Sequence, residues 1–286
     1  MFNLLNNHKY GLENYGNTRE NSSVVQNYGL GEYRMKQTII WSVILLAVVW
    51  AIPMAMSQEQ NEPGKFEQDV IKTDPGDLKI TCIGHGTLMM ELGEKVIHID
   101  PWTKLADYTK FPKADIILIT HDHGDHLDSK AIDLIKKADT QILASKSCEG
   151  KIEGAVILEN GQSKDIAGIK IEAVPAYNIE HKRPDGTPFH PKGNGNGYVI
   201  TFGKTRVYVA GDTENTPEMK SLKDIGVAFL PMNLPYTMIP EMVADAVRAF
   251  KPKILYPYHF GQTDTSRLVD LLKDVKDIEV RIRKMP

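Results

Sequence analysis

Thr120-His121-Asp122-His123-Gly124-Asp125-His126-Leu127-Asp128 puts three imidazoles and a carboxylate with metal-binding potential within six residues. Neutral imidazole is the commonest protein ligand for zinc-like ions, and carboxylate oxygen is a second natural one. His121 and His123 are two apart, so in extended chain they point the same way. Asp125 and His126 are adjacent and diverge. The spacing suits two neighbouring metals, with His121 and His123 on one and Asp125 and His126 on the other. A solvated polar turn without metal is the plain alternative. It fits poorly between a buried strand and a capped helix.

Those flanking elements can be read from pattern. Ala114–Thr120 is a near-continuous apolar run, as expected of a strand buried on both faces. Asp128 to Ala138 reads as an amphipathic helix with Asp128 or Ser129 as its cap. Upstream, Leu78–Ile83 alternates as a strand, Gly84-His85-Gly86 turns the chain, and Thr87–Leu92 with Lys95–Ile99 forms a hairpin. Downstream, Gln141–Ala144, Ala155–Leu158 and Ile169–Val174 are short strands. Tyr198–Phe202 and Thr205–Ala210 pair around Gly203-Lys204. Val227–Pro231, Lys253–Tyr256 and Ile278–Ile282 are strands, and Pro240–Phe250 and Thr265–Val275 are helices. About a dozen strands with interspersed helices exceed one doubly wound sheet; two sheets with helices outside fit better.

His121-x-His123-x-Asp125-His126 resembles the signature of the metallo-β-lactamase superfamily. Gly211-Asp212-Thr213 follows a strand where that family has a metal-bridging aspartate. His259 follows another where it has its last histidine. The resemblance covers roughly residues 78–284 and implies an α/β fold, an αββα sandwich of two mixed β-sheets flanked by helices, with metals at one sheet edge. Gly84-His85-Gly86, Asp100-Pro101 and the segment from Pro231 through Tyr236-Thr237-Met238 to Pro240 look like the ascorbate-6-phosphate-lactonase-like branch of metal-dependent hydrolases. That branch carries its third metal histidine just after the strand ending near Val174. Here the place reads Pro175-Ala176-Tyr177-Asn178, so the histidine must come from further on. His190, between Phe189 and Pro191, is preferred over His181, which sits among Glu180, Lys182 and Arg183.

The resemblance therefore implies a metal set of His121, His123, Asp125, His126, His190, Asp212 and His259. Two zinc-like ions sharing Asp212, with manganese or a mixed site as alternatives, would lower the pKa of a bridging water to about 7. The resulting hydroxide would attack a carbonyl or phosphoryl centre. Histidine at position 123 favours zinc over iron, which prefers harder oxygen ligands. Asp125 is the nearest carboxylate for proton handling and the expected catalytic residue. Asp100 is read as orienting a ligand histidine, and His85 as supporting the ligands or facing the substrate. Asn233, Tyr236 and Thr237 sit on a loop after a strand, where substrate contacts often lie. Gly193–Gly197 lacks the strand-loop-helix setting of a phosphate loop and reads as a flexible loop bordering the site. Lys192 reads as solvated, with an anionic substrate as its alternative partner.

The expected activity is hydrolysis of a small ester, lactone or phosphodiester. A β-lactamase proper is one alternative. A non-catalytic metal-binding module that kept the fold is another; the complete ligand set argues against it.

The chain has 286 residues, 42% of them apolar and 25% charged, which excludes wholesale disorder. Its net charge of −3 gives no broad nucleic-acid footprint. Two cysteines allow one bridge at most; Cys82 is expected as a buried thiol, and a Cys82–Cys148 bridge is the alternative.

Residues 1–34 are polar and aperiodic and read as a disordered tail. Arg34-Met35-Lys36 precedes an uncharged run from Gln37 to Gln58 whose apolar heart is Ile39–Ile52. Fourteen helical residues reach about 21 Å, short of the ~30 Å hydrocarbon core. Residues 35–57 therefore read as a signal peptide, with small residues at Ala55 and Ser57 before a cut at Gln58. An uncleaved anchor touching the membrane through residues 37–58 is the alternative. The basic flank puts the C-terminal part outside the cytoplasm either way, periplasmic or secreted when cleaved. The true start is hypothesised to be Met35; peptides from residues 1–34 in the native precursor would refute this. Residues 58–76 read as a linker and 77–286 as the hydrolase domain.

Overall fold

The computed structural model describes residues 65–285. The expected tail, signal or anchor segment and start of the linker lie outside the described residues. No helix among the described residues is long and apolar enough to cross a membrane.

Two seven-stranded sheets face each other. The first contains β1 (Glu67–Thr73), β2 (Gly76–Gly84), β3 (Thr87–Leu92), β4 (Lys95–Ile99), β5 (Ile116–Ile119), β6 (Gln141–Ala144) and β7 (Val156–Ile157) in sequential order. The second contains β8 (Ser163–Ile166), β9 (Ile169–Ala176), β10 (Gly195–Phe202), β11 (Thr205–Val209), β12 (Ile225–Pro231), β13 (Ile254–Tyr258) and β14 (Glu279–Val280), also sequential. Each sheet opens antiparallel and finishes parallel. Helices α1 (Ser129–Ile135), α2 (Pro217–Lys220), α3 (Pro240–Phe250) and α4 (Thr265–Leu272) accompany the sheets. This is the αββα fold.

β5 shows why its sequence is apolar throughout. Ile116 and Leu118 enter the core between the sheets, while Ile117 and Ile119 enter the layer with Ala131, Ile132 and Ile135 of α1. All four are fully buried, each contributing at most roughly 1.5–3 kcal/mol. On the other side, Ala228 and Leu230 pack with Met242, Val243 and Val247 of α3 and Leu268 of α4, while Val227 and Phe229 face the inter-sheet core. The strand alternation thus sorts side chains between two apolar layers.

Several expectations are corrected. Residues 67–73, read as linker, form β1, paired antiparallel with β2 from Glu67 opposite Cys82 to Thr73 opposite Gly76. Its charged residues resemble a linker but suit a sheet edge. The folded unit therefore begins before residue 77. Gly195 and Gly197, read as flexible loop, lie in β10. A Cβ on Gly197 would stand 2.7 Å from the Ala210 carbonyl oxygen, so the close approach of β10 to the following strand requires glycine. Helix α1 ends at Ile135, whose carbonyl instead accepts from Ala114 N at 2.8 Å. β8 and α2 were not anticipated. Cys82 and Cys148 are both buried, free thiols.

The C-terminal segment is clasped to the edge of the first sheet. Arg283 donates to both Asp69 carboxylate oxygens at 2.7 and 2.8 Å, and Arg281 donates to the Tyr256 hydroxyl at 3.0 Å. At the opposite edge of the strands, Asn196 N donates to Thr120 O at 2.9 Å and the Tyr198 hydroxyl to Ile119 O at 2.8 Å. These bonds hold the two sheets in register where the chemistry-bearing residues emerge.

Candidate metal centre

The C-terminal ends of six strands deliver the site. β2 leads to His85, β4 to Asp100, β5 to His121, β9 to Asn178, β11 to Asp212 and β13 to His259. His85, Asp100 and His259 adopt positive φ values of 50°, 45° and 47°. Such backbone is uncommon outside glycine and concentrates where surrounding structure fixes a functional geometry.

Three groups of side chains come together with one potential ligand atom each within 4.8 Å of the others: His121, His123 and His190; His85, Asp125, His126 and His259; and His121, His126 and Asp212. Asp212 lies between the first two. Its Oδ2 is 3.4 Å from His190 Nε2 and 4.0 Å from His121 Nε2. Its Oδ1 is 3.5 Å from both His126 Nε2 and His259 Nε2. His190 Nε2 is 3.3 Å from His123 Nδ1, and Asp125 Oδ2 is 3.9 Å from both His126 Nε2 and His259 Nε2. Ligands bound at about 2.1 Å with tetrahedral angles lie about 3.4 Å apart, so this packing fits coordination.

The hydrogen bonds behind these atoms turn them inward. His126 Nδ1 contacts Asp100 Oδ2 at 2.8 Å. Asp100 also accepts from Thr120 N at 2.8 Å and Thr120 Oγ1 at 2.6 Å, donors that favour its carboxylate against the upward push of burial. His121 Nδ1 lies 3.0 Å from Thr120 Oγ1, so one threonine hydroxyl links two histidines to one aspartate. His190 Nδ1 lies 2.8 Å from Asn178 Oδ1. An imidazole donating through Nδ1 leaves Nε2 as a lone pair. Gly86 makes room for His126: a Cβ there would stand 2.8 Å from its Cε1.

Among the described residues, buried side-chain polar atoms without a hydrogen-bond partner include His121 Nε2, His126 Nε2, His259 Nε2 and Asp212 Oδ1. An unsatisfied buried polar atom costs about 1–3 kcal/mol. Four such atoms gathered around the Asp212 carboxylate fit cation binding.

The electrostatics agree. Burial holds His121 well below the ordinary histidine range and lowers His190 and His259 to about 4, so all three are neutral at neutral pH. Burial also opposes charge on His126, but Asp212, Asp100 and Asp125 together raise it to about 9. These carboxylates create a field that favours positive charge. Asp212 and Asp125 both stay below the usual carboxylate range: burial pushes each up, and the surrounding histidines more than reverse it.

The remaining expected residues divide. His85 Nε2 is 3.0 Å from Asp125 Oδ2, and its ring centroid is 3.6 Å from that of His259. His85, Asn233 and Tyr236 line a cavity of about 450 Å³ with His123, Asp125 and Asp212. Thr237 does not line it. It is fully buried and its hydroxyl accepts from Asn233 N at 2.7 Å, so it supports Asn233 rather than touching substrate. His181 is turned to Glu214, with Nδ1 2.8 Å from Oε1, whereas His190 enters the centre. Lys192 is not simply solvated: it donates to Glu218 at 2.8 Å and to the Tyr177 hydroxyl at 3.2 Å. Asp122, inside the motif, is turned away and paired with Lys151.

Two supporting residues escaped the sequence reading. Asn178 was noted only as a missing histidine. Glu214 is buried and accepts from the backbone nitrogens of Ile179, Glu180 and His181, each at 2.7 Å, and from Asn178 Nδ2 at 3.1 Å. Its position two residues after Asp212 was the one available signal.

The chain is similar to known proteins in sequence and in fold. A Thermococcus onnurineus protein named UPF0173 metal-dependent hydrolase is 33% identical over 197 residues, covering 64% of this chain and 85% of that protein. A Pelotomaculum thermopropionicum protein of the same name is 28% identical over 224 residues, covering 72% and 96%. A crystallised protein of Parabacteroides distasonis ATCC 8503, assigned by name to the metal-dependent hydrolases, is 52% identical with a TM-score of 0.74, covering 77% of this chain and all of that one. Igni18, a metallo hydrolase from Ignicoccus hospitalis, shares the fold at 24% identity and a TM-score of 0.59, covering 72% and 94%. The family model described as beta-lactamase superfamily domain matches residues 79–259, and the chain belongs to that superfamily, with the metallo-β-lactamase fold.

Proposed function

We propose that the chain is a metal-dependent hydrolase of the ascorbate-6-phosphate-lactonase-like branch, acting outside the cytoplasm on a small ester, lactone or phosphodiester through a dinuclear, zinc-like centre. The observation that carries the reading is the placement of the two Asp212 oxygens, one toward His121 and His190 and the other toward His126 and His259. The first metal would be held by His121, His123 and His190, the second by Asp125, His126 and His259, with Asp212 shared. The names of the relatives support a metal-dependent hydrolase. Export rests on the basic flank and apolar run of residues 34–57.

Bound divalent ions supply Lewis acidity and activate water at neutral pH. This chain's residues do the rest. Asp100, Thr120 and Asn178 hold the imidazoles in ligand orientation. Asp125 Oδ2 and His85 Nε2, 3.0 Å apart at the cavity wall, form a route for a proton leaving the attacking water. Phe189 and Tyr236, edge to face at 5.1 Å, form an aromatic part of the cavity wall.

Metal analysis of the full chain, paired with a substrate panel, tests the reading. Two metal equivalents and turnover of an ester, lactone or phosphodiester are expected, with both lost in Asp212→Ala. One equivalent with no turnover would refute it, and nitrocefin cleavage alone would favour a β-lactamase proper.

A further inference from the structure

The strands that deliver Asp212 and His259 have a second end. There, at the N-terminal ends of β12 and β13, a groove of about 670 Å³ opens between the β10–β11 turn, the end of α3 and the last residues of β1. Ile254 lines it and His259 lies five residues on, roughly 16 Å away at the rise of an extended strand. The volume is that of a small-molecule site. Ile71, Ile225, Val227 and Phe250 are buried and form the floor. Ile71 and Val227 belong to the core between the sheets, Ile225 and Phe250 to the layer that holds α3. The groove thus lies where both apolar layers reach the surface.

Lysines form the rim. Lys204, Lys223, Lys251 and Lys253 are exposed, and among the described residues none of these four side chains has a carboxylate partner. The neighbouring carboxylates are used otherwise: Asp77 pairs with Lys72 at 2.7 Å, and Asp74 accepts from the backbone nitrogen of Lys204 at 3.0 Å. Asp224 lines the groove and pairs with none of the four. Five lysines against one aspartate make the groove basic in a chain whose net charge is −3. The backbone fixes where two of the charges stand. Lys251 closes α3 with φ 48°, its nitrogen donating to Val247 O at 2.9 Å, and Lys253 N donates to Ile225 O at 3.2 Å. Like charges held around one groove repel, and a bound anion relieves that repulsion.

We propose that this groove is a second binding site, remote from the metal centre, for a small phosphate-bearing molecule with an apolar body. The phosphate sits among the rim ammonium groups and the body covers the floor of Ile71 and Phe250. The proposal is independent of the chemistry at the metal centre. Phosphate rather than carboxylate follows from the cations present: no arginine lines the groove. A planar carboxylate is matched best by the fork of a guanidinium, whereas several ammonium point charges suit a multiply charged phosphate approached from different sides. An apolar body follows from the floor, because a fully hydrated anion would leave it uncovered.

The test is calorimetric titration of the metal-loaded full chain with hexylphosphonate, inorganic phosphate and hexanol, in wild type and in two variants matched for metal content. Lys251→Gly combined with Lys253→Gln removes two charges, and glycine suits the left-handed position. Ala249→Glu sets a carboxylate at an exposed lining position and keeps every lysine. Phosphonate bound at the metal centre is common to all three proteins, so the difference between them reports the groove. Wild type should bind hexylphosphonate about tenfold more tightly than either variant. The part of the binding that the variants lose should be about tenfold weaker for inorganic phosphate, which lacks the apolar body, and absent for hexanol, which lacks the charge. Equal hexylphosphonate affinity in wild type and both variants would overturn the proposal. So would inorganic phosphate binding as tightly as hexylphosphonate in the lysine-dependent part. Sedimentation with phosphatidylglycerol vesicles is the second arm: lysine-dependent retention on vesicles without hexylphosphonate binding would assign the groove to a membrane surface and overturn the small-molecule site.

Discussion

The side-chain oxygen of Asn178 lies 2.8 Å from both the backbone nitrogen and Nδ1 of His190. One acceptor therefore fixes where His190 sits and which of its ring nitrogens is free. Removing it in Asn178→Ala should weaken the metal on that side by about 10- to 100-fold. Asn178→Asp keeps the acceptor for His190 but loses the donor to Glu214 and sets a second carboxylate against it, so it should recover only part of the loss. Competition with a chromophoric chelator measures both; equal affinity in wild type and Asn178→Ala would remove the role.

Asp212 faces both ligand groups, so its substitution should act on both. Asp212→Ala is expected to lower total metal content and to reduce turnover by more than about 100-fold, beyond the effect of a supporting residue. Chelation of the wild type should also lower its melting temperature, because an ion at 1,000 times its Kd stabilises the fold by about 4 kcal/mol. The Asp212→Ala protein should show little of that chelator-sensitive shift, as thermal denaturation with and without chelator would reveal.

The clasp between Arg283 and Asp69 is remote from the centre. Burial pushes the Asp69 carboxyl up, but its bonds to Arg283 and Tyr256 and the two arginine charges hold it below its ordinary value. Asp69→Ala leaves two arginines without their shared partner and should cost about 2 kcal/mol. For a domain of this size the melting temperature should fall by roughly 4–8 °C. Metal content should be unaltered; a large loss of metal would show that the clasp reaches the site.

His98 makes stability depend on pH. It is fully buried, with Nε2 donating to Pro112 O at 3.1 Å, and burial lowers its pKa from 6.5 to about 4. Between those values the unfolded chain binds the proton and the folded chain does not. Stability from this group is therefore fully present above pH 6.5 and falls on acidification through pH 4, by about 3 kcal/mol. Urea unfolding of wild type and His98→Gln across this window should give curves whose difference has that slope. Parallel curves would exclude His98 as the source.

The paired carboxylate and histidines of residues 121–126 were legible because their spacing is local. Asp212 and His259 were legible through the resemblance, because each follows an apolar strand where that family has a ligand. His190 was distinguishable from His181 only by its neighbours Phe189 and Pro191, and the reason for its placement was hidden. Glu214 gathers the backbone of residues 179–181 and engages His181, while Asn178 takes His190. No short-range pattern links position 214 to position 181, or 178 to 190. β1 was hidden for a different reason: a charged edge strand lacks a clear two-faced pattern.

The sequence by itself determined the metal-binding residue types and the buried strands that carry them, which follow from spacing and periodicity along a few residues, and it pointed to the superfamily through the resemblance of its motifs. Only the tertiary structure decided which atoms face inward. It placed Asp100 behind His126, set Asp212 between two groups and sent His181 away. Those choices depend on hydrogen bonds and burial between segments far apart in the chain, which form once the two sheets pack face to face.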